Sequence, residues 1–171
     1  MRAVTQVVLP VALTGVSLFC ISCVEREIHN IPAGYMGDVF IIHNAPDGIP
    51  LERTLFSTTY NIPENGILRS SSPMRERTIL GHGDFFYVDE NGEKEAITAY
   101  WPSSIQDTPE NRAGKTVGVW FRRTGTRGFA SDPCQVEYQQ YYVGTKEYLL
   151  DREQTYPLHE YLLEHPVCGE R

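Results

Sequence analysis

Clusters of turn-forming residues punctuate the middle of this chain, and the runs between them carry strand chemistry. Pro46-Asp47-Gly48, Pro63-Glu64-Asn65-Gly66 and Asp89-Glu90-Asn91-Gly92 each combine a preset dihedral, a side chain that can bond its own backbone, or a glycine that accepts positive φ. Asn91-Gly92 lies between Phe85-Phe86-Tyr87-Val88 and Ala96-Ile97-Thr98-Ala99-Tyr100-Trp101, which predicts a β-hairpin. Asp38 to His43 is a continuous β-branched run, as expected of a strand covered on both faces. Thr54, Phe56, Thr58, Tyr60 and Ile62 alternate with Leu55, Ser57, Thr59 and Asn61, as expected of a strand with one inward face. Ile67-Leu68-Arg69, Val117 to Phe121 and Val136 to Val143 add further strands, with loops at 103–114 and between Phe121 and Val136.

The tail changes character. Lys146 to Arg152 and Leu158 to Glu164 hold helix formers, with Pro157 suited to a first turn and Pro166 to a stop. Glu147-Tyr148-Leu149-Leu150 recurs as Glu160-Tyr161-Leu162-Leu163, which reads as two similar amphipathic turns packing on a sheet. The expected architecture is mainly β: an antiparallel, sandwich-like domain of about seven short strands with a C-terminal helical cap, α+β in class.

The first residues have a different task. Arg2 is the only charge before Glu25, and Val4 to Ser22 is mostly apolar. A positive start, an apolar stretch and a small residue before a cut describe an export signal. The closing Cys20-Ile21-Ser22-Cys23 resembles the bacterial lipobox, in which a cysteine after a small residue receives acyl chains. Ser22 before Cys23 fits that requirement and Phe19 before Cys20 is too bulky, although the lipobox leucine is here Cys20. The division expected is therefore a lipoprotein signal at 1–22, a lipidated tether at 23–30 and one globular domain at 31–171. Without cleavage the same run would be a spanning helix weakened by Pro10, Thr14, Gly15 and Ser17. Lipidation, an uncleaved anchor and plain secretion all put the remaining chain outside the cytoplasm, and membrane attachment through a lipid anchor is the leading expectation.

Cleavage before Cys23 leaves Cys134 and Cys168, an even pair in an oxidising compartment. A disulfide between them would stabilise the fold by roughly 3–4 kcal/mol in the chain-entropy picture; two unpaired thiols are the alternative. Removing residues 1–22 removes one positive charge, Arg2, and takes the formal charge from −7 to −8. That balance opposes nucleic acid, whose phosphates reward lysine and arginine stripes. It equally opposes electrostatic attachment to anionic lipid.

Catalytic and metal signatures are weak. His159 and His165 flank a helix-like run, but six residues put them about 240° apart around a helix axis, not at the i,i+4 spacing of a zinc helix. His82 and Asp84 share the turn Gly81-His82-Gly83-Asp84 and could form an acid/base or metal site with His43 if the loops converge. No serine elbow, calcium loop or phosphate-cradling glycine loop is present. No metal or cofactor is expected. Tyr138, Tyr141, Tyr142, Trp101 and Trp120 provide aromatic area suited either to a core or to a binding face, and Arg122, Arg123 and Arg127 form a local basic cluster.

Ile31-Pro32-Ala33-Gly34-Tyr35-Met36-Gly37-Asp38, continued by Pro46-Asp47-Gly48, Tyr60 to Leu68 and Phe85 to Gly92, resembles a family of uncharacterised bacterial envelope lipoproteins that share a domain of unknown function. The likeness covers most of residues 31–100, with a further trace at Val143 to Glu147, and consists of turns and strands. It implies an anchored envelope domain and supplies no catalytic residues. The function expected is non-enzymatic binding of an envelope protein or glycan, an immunity-type protein being one form. The alternatives are a small envelope hydrolase using His43, His82 and Asp84, or a structural lipoprotein of a larger assembly.

Overall fold

The structure, a computed structural model, describes residues 26–74, 83–100, 106, 108–128, 135–151 and 157–167. Among the described residues, nine strands form two sheets. Strand β1 is Arg26–Pro32, β2 Gly37–Ile42, β3 Glu52–Arg53, β4 Ser57–Asn61, β5 Ile67–Arg69, β6 Gly83–Val88, β7 Lys94–Ile97, β8 Gly118–Gly128 and β9 Gln135–Gly144. One sheet has the order β3-β4-β1-β6-β7 and the other β5-β2-β9-β8. Three short helices are present among the described residues: α1 Pro109–Arg112, α2 Lys146–Asp151 and α3 Pro157–Glu164.

The mainly β, α+β class holds, while the pairing is mixed. Strand β1 runs parallel to both of its neighbours, β4 and β6, and β2 runs parallel to β5. The remaining pairs, β2–β9, β3–β4, β6–β7 and β8–β9, are antiparallel. The Asn91-Gly92 hairpin joins β6 to β7 as its sequence requires. Asp89 closes it by accepting the backbone N–H groups of Asn91 and Glu93 at 2.9 and 2.8 Å. Those donors hold its carboxyl below the usual range, the Glu93 N–H most of all.

The two sheets enclose the main core. Ile31, Tyr60, Ile62, Phe85 and Ile97 of the first sheet and its flanks meet Val39, Ile41, Leu68, Val119, Tyr141 and Val143 of the second. On the far side of the second sheet, Phe40, Ile42 and Val136 are covered by Leu158, Leu162 and Val167, and Trp120 and Tyr142 by Leu149. The second sheet is thus buried on both faces, which accounts for the uninterrupted apolar run of β2: Val39 and Ile41 face one layer, Phe40 and Ile42 the other. The repeated Glu-Tyr-Leu-Leu places its first leucine, Leu149 or Leu162, against the sheet in each helix.

Residues 26–30, expected to be tether, are instead most of the central strand β1, so the folded part includes them. The strand escapes a hydrophobicity reading because two of its three buried residues are polar: Glu27, His29 and Ile31 point inward and alternate with Arg26, Ile28 and Asn30. Two loop expectations also change. Thr108 caps a one-turn helix at Pro109–Arg112, and β8 continues through Arg122, Arg123 and Arg127 to Gly128. No helix among the described residues is long and apolar enough to cross a membrane.

The corner Pro32–Gly37 carries the chain from one sheet to the other. Its Tyr35 hydroxyl donates to the Asp38 carbonyl at 2.6 Å, and the Tyr87 hydroxyl donates to the Tyr35 carbonyl at 2.7 Å. Burial, with the nearby Asp38 charge, pushes the Tyr35 phenol up to about 12, so it remains a donor. Gly66 (φ +74°) closes the following turn directly beneath this ring, where a Cβ would collide with the Tyr35 hydroxyl and approach the Asp38 carbonyl oxygen to 2.6 Å. The glycine-tyrosine-glycine motif therefore builds a corner.

Candidate functional site

The unusual chemistry of this fold lies between its sheets. Tyr60 of β4, His29 of β1 and Phe85 of β6 are register partners across three parallel strands, so their side chains share one face at one level. Their rings stack as a ladder, with His29 centroids 4.6 Å from Tyr60 and 4.5 Å from Phe85. Tyr141 of β9 meets the ladder edge-on, 5.2 Å from both His29 and Phe85. The Tyr141 hydroxyl lies 3.2 Å from His29 Nδ1.

Polar side chains surround the stack. Tyr60 donates to Glu27 Oε1 at 3.3 Å, and Gln139 Nε2 donates to the Tyr60 hydroxyl at 3.4 Å. Glu27 Oε2 is 3.9 Å from His29 Nε2, beyond hydrogen-bond range, and Nε2 has no other hydrogen-bond partner. His29 is fully buried. Burial pushes its imidazole down to about 3, against the opposing Asp84 charge, so the ring is neutral near pH 7 and the Glu27 contact is no ion pair.

His43, which follows β2, is buried in the same layer, edge-on to Tyr60 at 6.3 Å. Neither of its ring nitrogens has a hydrogen-bond partner. Burial lowers its imidazole to about 4, opposed by the Ser72 backbone and assisted by the Arg53 charge. Asp84 precedes the inward Phe85 and pairs with Arg26 on the outer face of the five-stranded sheet. His43 and Asp84 therefore address opposite sides of that sheet and form no common cleft. A buried, neutral imidazole enclosed by aromatic rings organises a core.

Other expected features sort likewise. Trp120, Tyr141 and Tyr142 are buried, and Trp120 Nε1 donates to the Gly144 carbonyl at 2.8 Å, so this aromatic area is core. Arg123 donates to Gln140 Oε1 at 2.8 and 2.5 Å, and Gln140 in turn donates to Asp38 at 3.2 Å. Among the described residues, no three His, Cys, Asp or Glu side chains are grouped to hold a metal ion. Cys23, His82, Trp101, Cys134 and Cys168 lie outside the described residues.

The outer face of the five-stranded sheet is the second candidate. Helices α2 and α3 pack on the other sheet, and α1 packs against α2 through Arg112–Asp151 and Lys146–Asn111. Ile28 and Phe86 occupy the middle of this face, which no helix among the described residues covers, and are only partly buried. Around them lie the Arg26–Asp84 pair, the Asn30–Asn61 amide bond at 2.7 Å and Lys94, whose ammonium sits 5.5 Å from the Phe86 ring centre. An apolar centre with a polar rim is the arrangement of a protein-binding patch. Sequence reading missed both this face and His29, and the signal for each was the alternation hidden in Arg26–Pro32.

The chain belongs to DUF6843, a family of unknown function, which matches it over residues 24–151. No protein of curated function matches it. Its fold is similar to the 2.75 Å crystal structure of a "Putative Lipoprotein from Bacillus anthracis", with a TM-score of 0.55 and 17% identity over 82% of this chain and 92% of that one.

Proposed function

We propose that this chain is a lipid-anchored domain of the bacterial cell envelope that binds an envelope protein or glycan through the outer face of its five-stranded sheet and performs no catalysis. The observation that carries the reading is the spacing between anchor and fold. Ser22-Cys23 closes an export-like run, and β1, the central strand of the sheet, starts three residues later at Arg26. A sheet presented at the membrane with its open face to the surroundings suits a receptor or adaptor. The similarity of fold to a protein named as a lipoprotein agrees with anchoring. The burial of His29 and His43 and the separation of His43 from Asp84 weigh against hydrolysis.

The test is cross-linking in intact envelopes of a bacterium expressing the full chain, beside a variant carrying Ile28→Asp and Phe86→Asp. The reading expects a discrete cross-linked partner with the parent and its loss with the variant at equal surface abundance. Equal cross-linking by both would contradict the assignment of the face.

A further inference from the structure

We infer that the tip of the β3–β4 hairpin, Leu55-Phe56, is a membrane-contacting element that inserts into the phospholipid surface holding the acylated Cys23. The inference rests on the anchored reading proposed above and extends it from the lipid to the protein.

Three observations meet at this tip. Leu55 is 85% exposed and Phe56 62% exposed; among the described residues they form the one adjacent pair of large exposed apolar side chains. Met36, Ile49, Tyr148 and Leu163 are exposed singly, as is ordinary on a protein surface. The turn that displays the pair is also held rigidly. Thr54 Oγ1 accepts the Phe56 and Ser57 N–H groups at 3.1 and 2.9 Å, and Thr54 N–H donates to the Ser57 carbonyl at 2.8 Å. An apolar pair fixed outward by its own turn chemistry costs little further entropy when it meets a surface.

Position supplies the occupant. The Phe56 carbonyl accepts the Arg26 N–H at 2.8 Å, and Arg26 pairs in register with Ser57. The tip therefore adjoins the first residue of the fold, at the end of the sheet where the parallel strands β1, β4 and β6 all begin. Three residues of chain reach at most about 10 Å. A headgroup layer is roughly 5–8 Å deep on each side of a bilayer. Acyl chains on Cys23 thus keep Arg26, and Phe56 beside it, within about 10 Å of the anchoring sulfur, close enough for the tip to reach the headgroups.

Charge points the same way. The chain is acidic overall, so anionic lipid gives it no attraction, and Arg26 is already paired with Asp84 at this end. Apolar insertion is the contact left to such a protein. Acyl chains on Cys23 supply the attachment itself, and an apolar contact made by the protein adds to it. Leu55-Phe56 would be that contact and would fix the orientation of the sheet relative to the bilayer.

The test uses the full chain expressed with its own signal, purified in detergent and reconstituted into phosphatidylcholine vesicles, with or without brominated acyl chains. Phe56→Trp adds an emitter at the tip, and Leu163→Trp adds one on α3 as the comparison. The emission added by Phe56→Trp should fall by about half or more in brominated vesicles, as for an aromatic ring at the lipid interface, while that of Leu163→Trp stays within about a tenth of its unquenched value. Mass spectrometry of the same samples reads Cys23. Acylated Cys23 with unquenched Trp at position 56 overturns the insertion alone and leaves the anchor. Unmodified Cys23 overturns the anchor and the insertion with it. A blue shift without quenching that grows with protein concentration would assign the tip to a second copy of the chain, and the inference would fall.

Discussion

His29 Nδ1 and the Tyr141 hydroxyl meet at 3.2 Å across the gap between the two sheets, joining the central strand of one to an inner strand of the other. The contact sits against the stacked rings of Tyr60, His29 and Phe85, and His29 Nδ1 is buried with it. Tyr141→Phe keeps the packing and leaves the imidazole nitrogen buried without its partner. Urea unfolding should show a loss of about 1–3 kcal/mol, the cost of an unsatisfied buried polar group. A change under a few tenths would show that this bond does not hold the sheets together.

The same burial makes the fold sensitive to acid. Ordinary histidine titrates near 6.5, whereas folded His29 titrates near 3 and His43 near 4. Between those values the unfolded chain binds more protons than the native one, so stability falls as pH falls. The contribution is fully present above about pH 6.5 and is lost progressively toward pH 3, on the order of 5 kcal/mol for His29. Denaturant midpoints measured from pH 8 to pH 4 should decline below pH 6.5, and His29→Phe should flatten the decline while His43 retains part of it. A midpoint independent of pH across that range would refute the neutral-imidazole core.

Two glycines separate backbone strain from steric conflict. Gly92 (φ +82°) has open space where a Cβ would project, whereas the Cβ of an alanine at Gly66 (φ +74°) would meet Tyr35 and the Asp38 carbonyl. Gly92→Ala should cost about 1 kcal/mol, the penalty of left-handed backbone alone. Gly66→Ala should cost about 2–4 kcal/mol, since the corner must move as well. Thermal or chemical unfolding of the two variants side by side checks the order; equal losses would remove Tyr35 from the account of the corner.

The twin helices offer a matched pair of truncations. Leu149 packs on Trp120 and Tyr142, and Leu162 packs in the cluster of Phe40, Ile42 and Val136. Leu149→Ala and Leu162→Ala should each destabilise by about 2–4 kcal/mol, while Leu163→Ala, 61% exposed, should change stability by less than about 0.5 kcal/mol. A large effect at Leu163 would mean that α3 is turned the other way.

Sequence made some of this fold legible and concealed the rest for definite reasons. Asn91-Gly92 announced its hairpin because a two-sided turn chemistry is local. The apolar run of β2 announced double burial because both layers demanded apolar partners. Strand β1 was concealed because its inward positions hold Glu27 and His29, residues that a hydrophobic pattern assigns to solvent. Parallel pairing of β1 with β4 and β6 was concealed because the partners lie far apart in the chain and no local turn specifies them. The site followed the same rule: His43 and Asp84 were visible as residue types, but only the strand alternation that places Phe85 inward and Asp84 outward decides that they do not meet.

The central claim is that the sulfur of Cys23 carries the lipid that holds this sheet against a membrane. Intact-mass and peptide mass spectrometry of the full chain expressed in a bacterium with its own export signal tests it most directly. The account predicts a mature chain that begins at an acylated Cys23 and fractionates with membranes. A chain that retains Met1, with Cys23 unmodified, recovered from the soluble cytoplasmic fraction would contradict it.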